Sequence, residues 1–199
     1  MNHLEASFTG KNSFWRYCLM IVTVFAASNT IGALPLLLTI GTRAVSDPDM
    51  LEKMSADPGN LSPLGIDPNL SLLMMLFPFI VSLAVFASLI KPLNGRTLMQ
   101  IINGTCNFRW KRFFISSLVW LIASAIYLIV NLKVDPSNFS LNNATPTLML
   151  LALVSVIFIP FQAAFEEVIF RGYLMQGFSL LVKNIFFPLI MSSLLFGLM

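Results

Sequence analysis

Long uncharged apolar runs alternate with short polar segments along this chain. A run of about 20 predominantly apolar residues is long enough to cross a bilayer as a helix. The fold class we predict is therefore all-α, a polytopic transmembrane helix bundle. It has four complete spans and the start of a fifth, at about residues 17–42, 70–90, 113–132, 146–170 and 185–199.

The remaining segments divide the chain. Residues 1–13 form a polar N-terminal tail, and residues 14–199 form one integral membrane domain. The first apolar run is too long for a cleaved signal peptide and no convincing cleavage site follows it, so we predict a retained span. Pro35 is expected to kink or end this span, and Pro78 and Pro160 are expected to bend the second and fourth spans.

Two of the connecting segments have a predicted structure. Residues 41–69 contain several Asp-Pro and Ser-Pro pairs, which are turn signals, so we predict an extramembrane loop with a short helix around residues 49–54. A plain connection and a substrate-contacting lid are both open for this loop. The apolar positions of residues 98–102 predict an amphipathic helix along the membrane surface, broken near Asn103.

The composition is that of a membrane protein. Apolar residues make up 57% and charged residues 11% of the chain, whereas a soluble domain has about 45–50% and about 25%. The net charge of +3 comes from clustered basic residues, above all in residues 91–112, which contain no acid. Basic residues mixed with aromatic ones also occur in nucleic-acid interfaces, but between two spans they indicate a cytoplasmic, interfacial segment.

The distribution of basic residues predicts the orientation in the cell membrane. Lys11, Arg16, residues 91–112, Arg171 and Lys183 fall on one side if every apolar run crosses. Because Lys and Arg are enriched in cytoplasmic loops, we predict that this side is cytoplasmic. The chain is then a multi-pass membrane protein in contact with lipid. Its N-terminus and the end of its fourth span face the cytoplasm, and it has no nucleic-acid partner.

The cysteines and the single histidine show no metal-binding pattern. Cys18 lies in the first apolar run and Cys106 in the basic loop, so they are not placed to pair. His3 lies in the polar tail, where a histidine is more often a bystander than a ligand. The chain has no HExxH motif, so it cannot assemble a zinc site of that type alone.

A charged cluster of Glu166, Glu167 and Arg171 follows the fourth apolar run. A charge at the centre of a spanning helix costs roughly 2.5–3.5 kcal/mol, so charges inside a membrane usually mark functional sites. Residues four apart share a helix face, so we predict that Glu167 pairs with Arg171. Glu166 points about 100° away, towards the face that carries Gln162. The alternative interpretation is a solvated helix end without a function.

The same residues resemble a known family. The sequence EEVIFRG at residues 166–172 is similar to EExxxR, the first motif of the CPBP family of CAAX proteases and bacteriocin-processing enzymes, also called Abi. SSLLFG at residues 192–197 resembles the lead-in of the second motif, FxxxH, with Phe196 in place. The expected histidine and the third motif would lie beyond Met199. We therefore expect an incomplete, truncated member whose protease core starts at about residue 146.

The resemblance implies an intramembrane endopeptidase that hydrolyses peptide bonds of membrane-associated proteins or peptides. It implies Glu166, Glu167 and Arg171 as catalytic residues, in a chain that is inactive until completed. One family mechanism uses a divalent metal such as zinc, held by motif histidines beyond Met199. The other uses a glutamate-activated water, with histidine and asparagine as oxyanion donors. Both mechanisms stay open, and no metal ligand is assignable within this chain.

Our hypothesis gives the two acids different tasks. Glu166 orients and activates the water, because a carboxylate that is removed from bulk water becomes a stronger base. Glu167 pairs with Arg171 or shares the work, and Arg171 fixes the geometry. Two other classes remain open. One is a non-catalytic membrane protein for bacteriocin immunity or partner binding, in which the cluster locks helices together. The other is a transporter, although no internal repeat is visible.

Overall fold

The computed structural model describes residues 10–47, 49–56, 61–103, 107–139, 145–182, 184 and 186–198. Within these ranges the regular structure is helical, without a strand. Four helical runs are long and apolar enough to cross a membrane, which confirms the predicted all-α polytopic bundle. His3, Cys106, Lys183 and Met199 lie outside the described residues, so the predictions made on them stay predictions.

The first helical run, Phe14–Ser46, has 33 residues. It consists of helix α1 (Phe14–Ala27), a π-helical segment (Ser28–Gly32, the first π segment) and helix α2 (Leu34–Ser46). Pro35 lies in the first turn of α2, where its missing N–H removes no helical hydrogen bond. The span therefore does not end at Pro35, and the departure from α-helical geometry comes just before it.

The connection between the first two spans is partly folded. Helix α3 (Asp49–Ala56) confirms the predicted short helix, and a 3-10 turn follows at Ser62–Leu64. Met50, Leu61 and Leu64 are buried together, and side chains of α2 pack against them. This part of the connection is therefore held against α2 by its own small apolar cluster.

Helix α4 (Pro68–Asn94) forms the second span and packs against the first run. The carboxylate of Asp67 caps it by accepting hydrogen bonds from two N–H groups of the first turn, at 2.8 and 3.4 Å. Gly95 ends it in the left-handed conformation, with φ +67°. The helix continues through Pro78, where Gly32 of the first π segment approaches closely. The predicted bend at Pro78 stays a prediction.

Helix α5 (Leu98–Asn103) is the helix predicted from residues 98–102, but its surroundings differ from the prediction. Ile101 is completely buried in the protein core. Arg96, predicted to belong to an interfacial basic segment, is only 1% exposed. The prediction of a membrane-surface location is therefore wrong for these two residues, because the chain folds back into the bundle after α4.

Helix α6 (Trp110–Val134) forms the third span and has no buried residue. The rings of Trp110, Phe113 and Phe114 cluster with Phe108 at its start. Within the described ranges, α6 does not pack extensively on another spanning helix. A 3-10 turn at Pro136–Asn138 follows it.

The fourth run carries the charged cluster. It consists of helix α7 (Thr145–Glu166), a second π segment (Glu167–Leu174) and helix α8 (Met175–Ser179). Its apolar part, Thr147–Ser179, has 33 residues, or about 50 Å at the usual rise. A helix of that length exceeds the hydrocarbon slab of about 30 Å, so it must tilt or protrude. Helix α9 (Phe186–Gly197) then packs back on the second π segment and α8.

The main core of the bundle holds the second π segment in place. Met20 of α1, Phe86 and Ile90 of α4, and Tyr173 of the second π segment are buried together. Tyr17 and Tyr173 stack with ring centroids 4.5 Å apart, and Phe86 meets Tyr173 edge-on at 5.3 Å. Such aromatic pairs contribute about 0.5–1.5 kcal/mol each beyond area burial. The helix that bears the acids is therefore anchored through one face.

Candidate functional site

The two acids lie at a change of helix geometry. Helix α7 ends at Glu166, and the second π segment begins at Glu167. A π-helical turn inside an α-helical run is rare and occurs often at functional sites. This turn could not be predicted, because apolar spacing alone does not separate an α from a π turn. The change of geometry places the two adjacent carboxylates in different surroundings.

Glu167 and Arg171 form the ion pair predicted from their spacing. Arg171 Nη1 lies 2.9 Å from Glu167 Oε1 and donates a hydrogen bond to Oε2 at 3.1 Å. The Arg171 side chain is 68% exposed and that of Glu167 is 50% exposed. The pair therefore neutralises one carboxylate on the surface of the helix bundle, and its contribution to stability is small.

Glu166 is held differently. Its Oε1 accepts a hydrogen bond from Gln162 Nε2 at 3.2 Å, and the side chain is half-buried. Gln162 shares this helix face, as its spacing predicts. Because an amide donor is neutral, Glu166 keeps its charge uncompensated by this partner. The structure thus brings Glu167 and Arg171 together and leaves Glu166 apart from them.

The opposite face of the second π segment is clamped against the bundle. Val168, Ile169, Phe170 and Tyr173 are buried there. A Cβ placed on Gly172 would lie 2.9 Å from Ile101 Cγ2, so the backbone at Gly172 approaches α5 more closely than a side chain would allow. The charged residues therefore project from a helix whose other side is fixed.

The two sequence motifs of the resemblance meet in the fold. Phe196 of α9 packs edge-on against Phe170, with ring centroids 5.4 Å apart. Ser192, in the same helix, is buried. The start of the second motif therefore lies against the helix of the first motif.

Arg96 is the residue of this region that the sequence interpretation missed. It donates hydrogen bonds to Gln176 Oε1 at 2.8 Å, to Asn12 Oδ1 at 3.2 Å and to the phenol oxygen of Tyr17. Gln176 and Tyr17 are separated from Arg96 by about 80 residues along the chain. No local pattern could have shown that this one basic residue of residues 91–112 turns inward.

A cavity of about 500 Å³ lies beside the same helix. Phe165, Ile169 and Phe170 line it, whereas Glu166, Glu167 and Arg171 do not. The rest of the lining is mainly apolar, and Ser82 there is buried with a hydroxyl that has no hydrogen-bond partner among the described residues. This cavity therefore lies next to the two acids and does not enclose them.

The described residues do not assemble a metal site. No group of three His, Cys, Asp or Glu side chains comes together among them. Of the two neighbouring carboxylates, the Glu167 carboxylate is already taken by Arg171. The described residues thus offer no assembled donor set, and the prediction that any metal ligands lie beyond Met199 stays a prediction.

Comparisons with known proteins agree with the motifs. Residues 145–199 match the family model described as Type II CAAX prenyl endopeptidase Rce1-like. The chain is also 28% identical over 205 residues to the uncharacterized protein YyaK of Bacillus subtilis strain 168. That alignment covers all of this chain but 64% of YyaK, so the chain spans less than two thirds of its relative. No solved structure matches the chain.

The family match covers α7, the second π segment, α8 and α9, which are the elements that hold the charged cluster and Phe196. It confirms the resemblance that EEVIFRG and SSLLFG indicated. Over residues 145–199, this membrane-spanning chain is therefore similar to the family described as Type II CAAX prenyl endopeptidase Rce1-like.

Proposed function

We propose that this chain carries the acid-bearing part of an intramembrane endopeptidase of the CAAX-protease type. The observation that supports it best is the asymmetry of the two acids within the Rce1-like segment. Arg171 holds Glu167 through both carboxylate oxygens, whereas Glu166 has the neutral Gln162 as its partner. Two acids with different partners are the arrangement expected when one is structural and the other reacts.

In this proposal, Glu166 is the general base. Its carboxylate accepts a proton from a water molecule as that water attacks the peptide carbonyl, and it returns the proton to the leaving amine. Gln162 orients the carboxylate from one side through its amide hydrogen bond. Arg171 pairs with Glu167 and fixes the geometry of this helix turn, so that the Glu166 carboxylate has the same orientation in each catalytic cycle.

A divalent metal such as zinc remains part of the wider proposal, with a ligand set that the described residues do not assemble. Among the described residues, no group of three His, Cys, Asp or Glu side chains comes together to bind it. If bound by other ligands, a metal would supply a more acidic water. The proposed roles of Glu166, Gln162, Glu167 and Arg171 do not depend on a bound metal.

The proposed substrates are membrane-associated proteins or peptides, reached from the lipid that surrounds the four apolar runs. Basic residues near the same ends of the spans favour a cytoplasmic location for the N-terminus and for the acid-bearing end of the fourth run. A soluble peptide without a membrane anchor is expected to be a poor substrate, because it would not concentrate at this surface.

A non-catalytic role in immunity or partner binding is the second candidate. The exposure of Glu167 and Arg171, and the position of all three charged residues outside the lining of the neighbouring cavity, favour it. On this view the ion pair and Glu166 contact a partner protein, and no bond is broken.

A cleavage assay separates these two candidates. Full-length protein in proteoliposomes is mixed with a lipid-anchored, quenched fluorescent peptide, and Glu166→Gln and Glu167→Gln are compared with the wild type. Glu52→Gln is the matched control, because Glu52 is exposed on α3 and the substitution removes the same charge. We expect cleavage by the wild type and the control, and loss of about 10²-fold or more in Glu166→Gln. Wild-type rates in both site variants would refute the proposal.

A further inference from the structure

The strongest feature outside the charged cluster is the buried guanidinium of Arg96. It is 1% exposed, and its three acceptors among the described residues are neutral: an amide oxygen of Asn12, the phenol of Tyr17 and an amide oxygen of Gln176. Its Nε has no hydrogen-bond partner within the same ranges. A buried cation that depends on a few neutral acceptors is sensitive to the loss of any one of them.

The three acceptors come from three different parts of the fold. Asn12 lies in the segment before α1, Tyr17 lies in the first turn of α1, and Gln176 lies in α8, directly after the second π segment. The planar guanidinium of Arg96 forms a fork: Nη1 donates to Gln176, and Nη2 donates to Asn12 and Tyr17. One side chain therefore ties the N-terminal segment, the first span and the acid-bearing helix to the end of α4.

The contacts around this fork are close. A Cβ placed on Gly177 would lie 2.7 Å from Tyr17 Cδ1, so the backbone of α8 lies directly on the Tyr17 ring. Tyr173, four residues earlier, stacks on the same ring with the centroids 4.5 Å apart and donates its hydroxyl proton to Asn94 Oδ1 at 3.0 Å. Gln176 also donates to the carbonyl oxygen of Gln100, at 3.4 Å.

The N-terminal segment covers the fork from outside. Lys11 N–H donates to the carbonyl oxygen of Asn94 at 2.9 Å, and the Asn94 amide donates back to the Lys11 carbonyl oxygen at 3.4 Å. Gly10 has φ +93°, and a Cβ there would lie 2.4 Å from the Asn94 carbonyl oxygen. Only glycine fits this position without strain, so the segment is seated on α4 and brings Asn12 to Arg96.

We propose that Arg96 is a positioning residue for the Glu166, Glu167 and Arg171 site. Through Tyr17 and Gln176 it fixes α8 and the second π segment against α4. This contact thereby also sets the position of the charged residues on the exposed face of the second π segment. This inference rests on the proposed function, since it assigns Arg96 to the same site. The coupling to α8 is nevertheless a physical property that can be measured without any cleavage.

Hydrogen exchange of the full-length protein in lipid nanodiscs tests the coupling. The variant is Arg96→Lys, which keeps the charge but loses the planar fork that reaches two spans at once. Arg112→Lys is the matched control, because Arg112 is exposed in the first turn of α6 and belongs to the same basic segment. Asn12→Ala, which removes a single acceptor, serves as the milder second variant in case Arg96→Lys fails to fold.

We expect amide exchange in residues 167–179 to be slow in the wild type and about tenfold or more faster in Arg96→Lys, with a smaller rise in Asn12→Ala. The control and the middle of α4 should exchange at wild-type rates. Unchanged exchange at residues 167–179 in a folded Arg96→Lys or Asn12→Ala would overturn the inference. So would an increase spread evenly over all helices, which would indicate general destabilisation.

The cleavage assay then adds a second test. In Arg96→Lys, kcat per folded molecule should fall by about tenfold to a hundredfold at an unchanged KM, because a small misplacement of a catalytic group has that effect. Adding Gln176→Glu gives the lysine a charged partner on α8 and should restore part of kcat. A failure of this rescue, with the exchange at residues 167–179 restored, would overturn the positioning role. Absence of cleavage in the wild type would instead refute the proposed function, and the exchange rates alone would then decide whether Arg96 fixes α8.

Discussion

Gly177 offers the sharpest test of the packing around the acid-bearing helix. A Cβ at this position would lie 2.7 Å from Tyr17 Cδ1 and 2.9 Å from Cε1, whereas carbon atoms in contact prefer about 3.5–4.0 Å. The Tyr17 ring cannot swing aside freely, because it stacks on Tyr173 and its oxygen accepts a hydrogen bond from Arg96. The Gly177→Ala substitution must therefore shift the helix or the ring.

The expected size follows from two opposing effects. Overpacking of a well-packed site typically costs about 1–3 kcal/mol, while alanine in place of glycine in a helix gains about 0.8–1 kcal/mol. Gly177→Ala should therefore lower the free energy of unfolding by up to about 2 kcal/mol. Gly41→Ala is the matched control, since Gly41 lies in α2 and a Cβ there meets nothing within 4 Å. The unfolding free energy of the control should rise by the full amount that alanine gains over glycine in a helix, about 0.8–1 kcal/mol.

The assay is reversible unfolding in mixed detergent micelles, followed by circular dichroism as the SDS fraction rises. The quantity of interest is the difference in unfolding free energy between Gly177→Ala and Gly41→Ala, which should be about 1–3 kcal/mol in favour of Gly41→Ala. Equal stability of the two variants would show that the backbone of α8 does not lie against the Tyr17 ring. The anchoring of the candidate site would then need another explanation.

Three further predictions concern the core and the ion pair. Phe86→Ala should destabilise the protein by about 3–5 kcal/mol in the same assay, because Phe86 is fully buried. The control Phe114→Ala truncates a ring that is 62% exposed and should have little effect. Similar losses of stability in both variants would contradict the burial pattern. Ser82→Ala should leave stability unchanged or raise it by about 1 kcal/mol, because its buried hydroxyl has no hydrogen-bond partner among the described residues; a clear loss would reveal a partner. A double-mutant cycle on Glu167 and Arg171 should give a coupling of at most about 0.5 kcal/mol, because both side chains are half or more exposed, and a coupling of several kcal/mol would place the pair in a buried site.

Much of the fold could be predicted from the sequence because membrane spans are a local property of the chain. The apolar runs, the helix around residues 49–54 and the end of α5 at Asn103 all follow from periodicity and turn residues. The Glu167 and Arg171 pair and the contact of Gln162 with Glu166 were also predictable, because both join residues four apart on one helix.

The features that could not be predicted depend on distant parts of the chain or on subtle helix geometry. The sequence does not distinguish Arg96 from its basic neighbours. Its partners in α1 and α8 are about 80 residues away along the chain. The two π segments cannot be predicted from the spacing of apolar residues, because that spacing does not separate an α from a π turn. The position of the cavity beside, rather than around, the acids likewise depends on how six helical elements pack: α1, the first π segment, α4, α7, the second π segment and α9.

The proposed division of tasks between the two acids, with Glu166 reacting while Arg171 holds Glu167 in place, can be tested by kinetics. The quantity to measure is the single-turnover rate of cleavage of a lipid-anchored peptide by Glu166→Gln and by Arg171→Gln, each normalised to folded protein. We expect a loss of about 10²–10⁴-fold for Glu166→Gln and a smaller loss, of about 10²-fold at most, for Arg171→Gln. A Glu166→Gln rate within tenfold of the wild type, together with a larger loss in Arg171→Gln, would contradict this division.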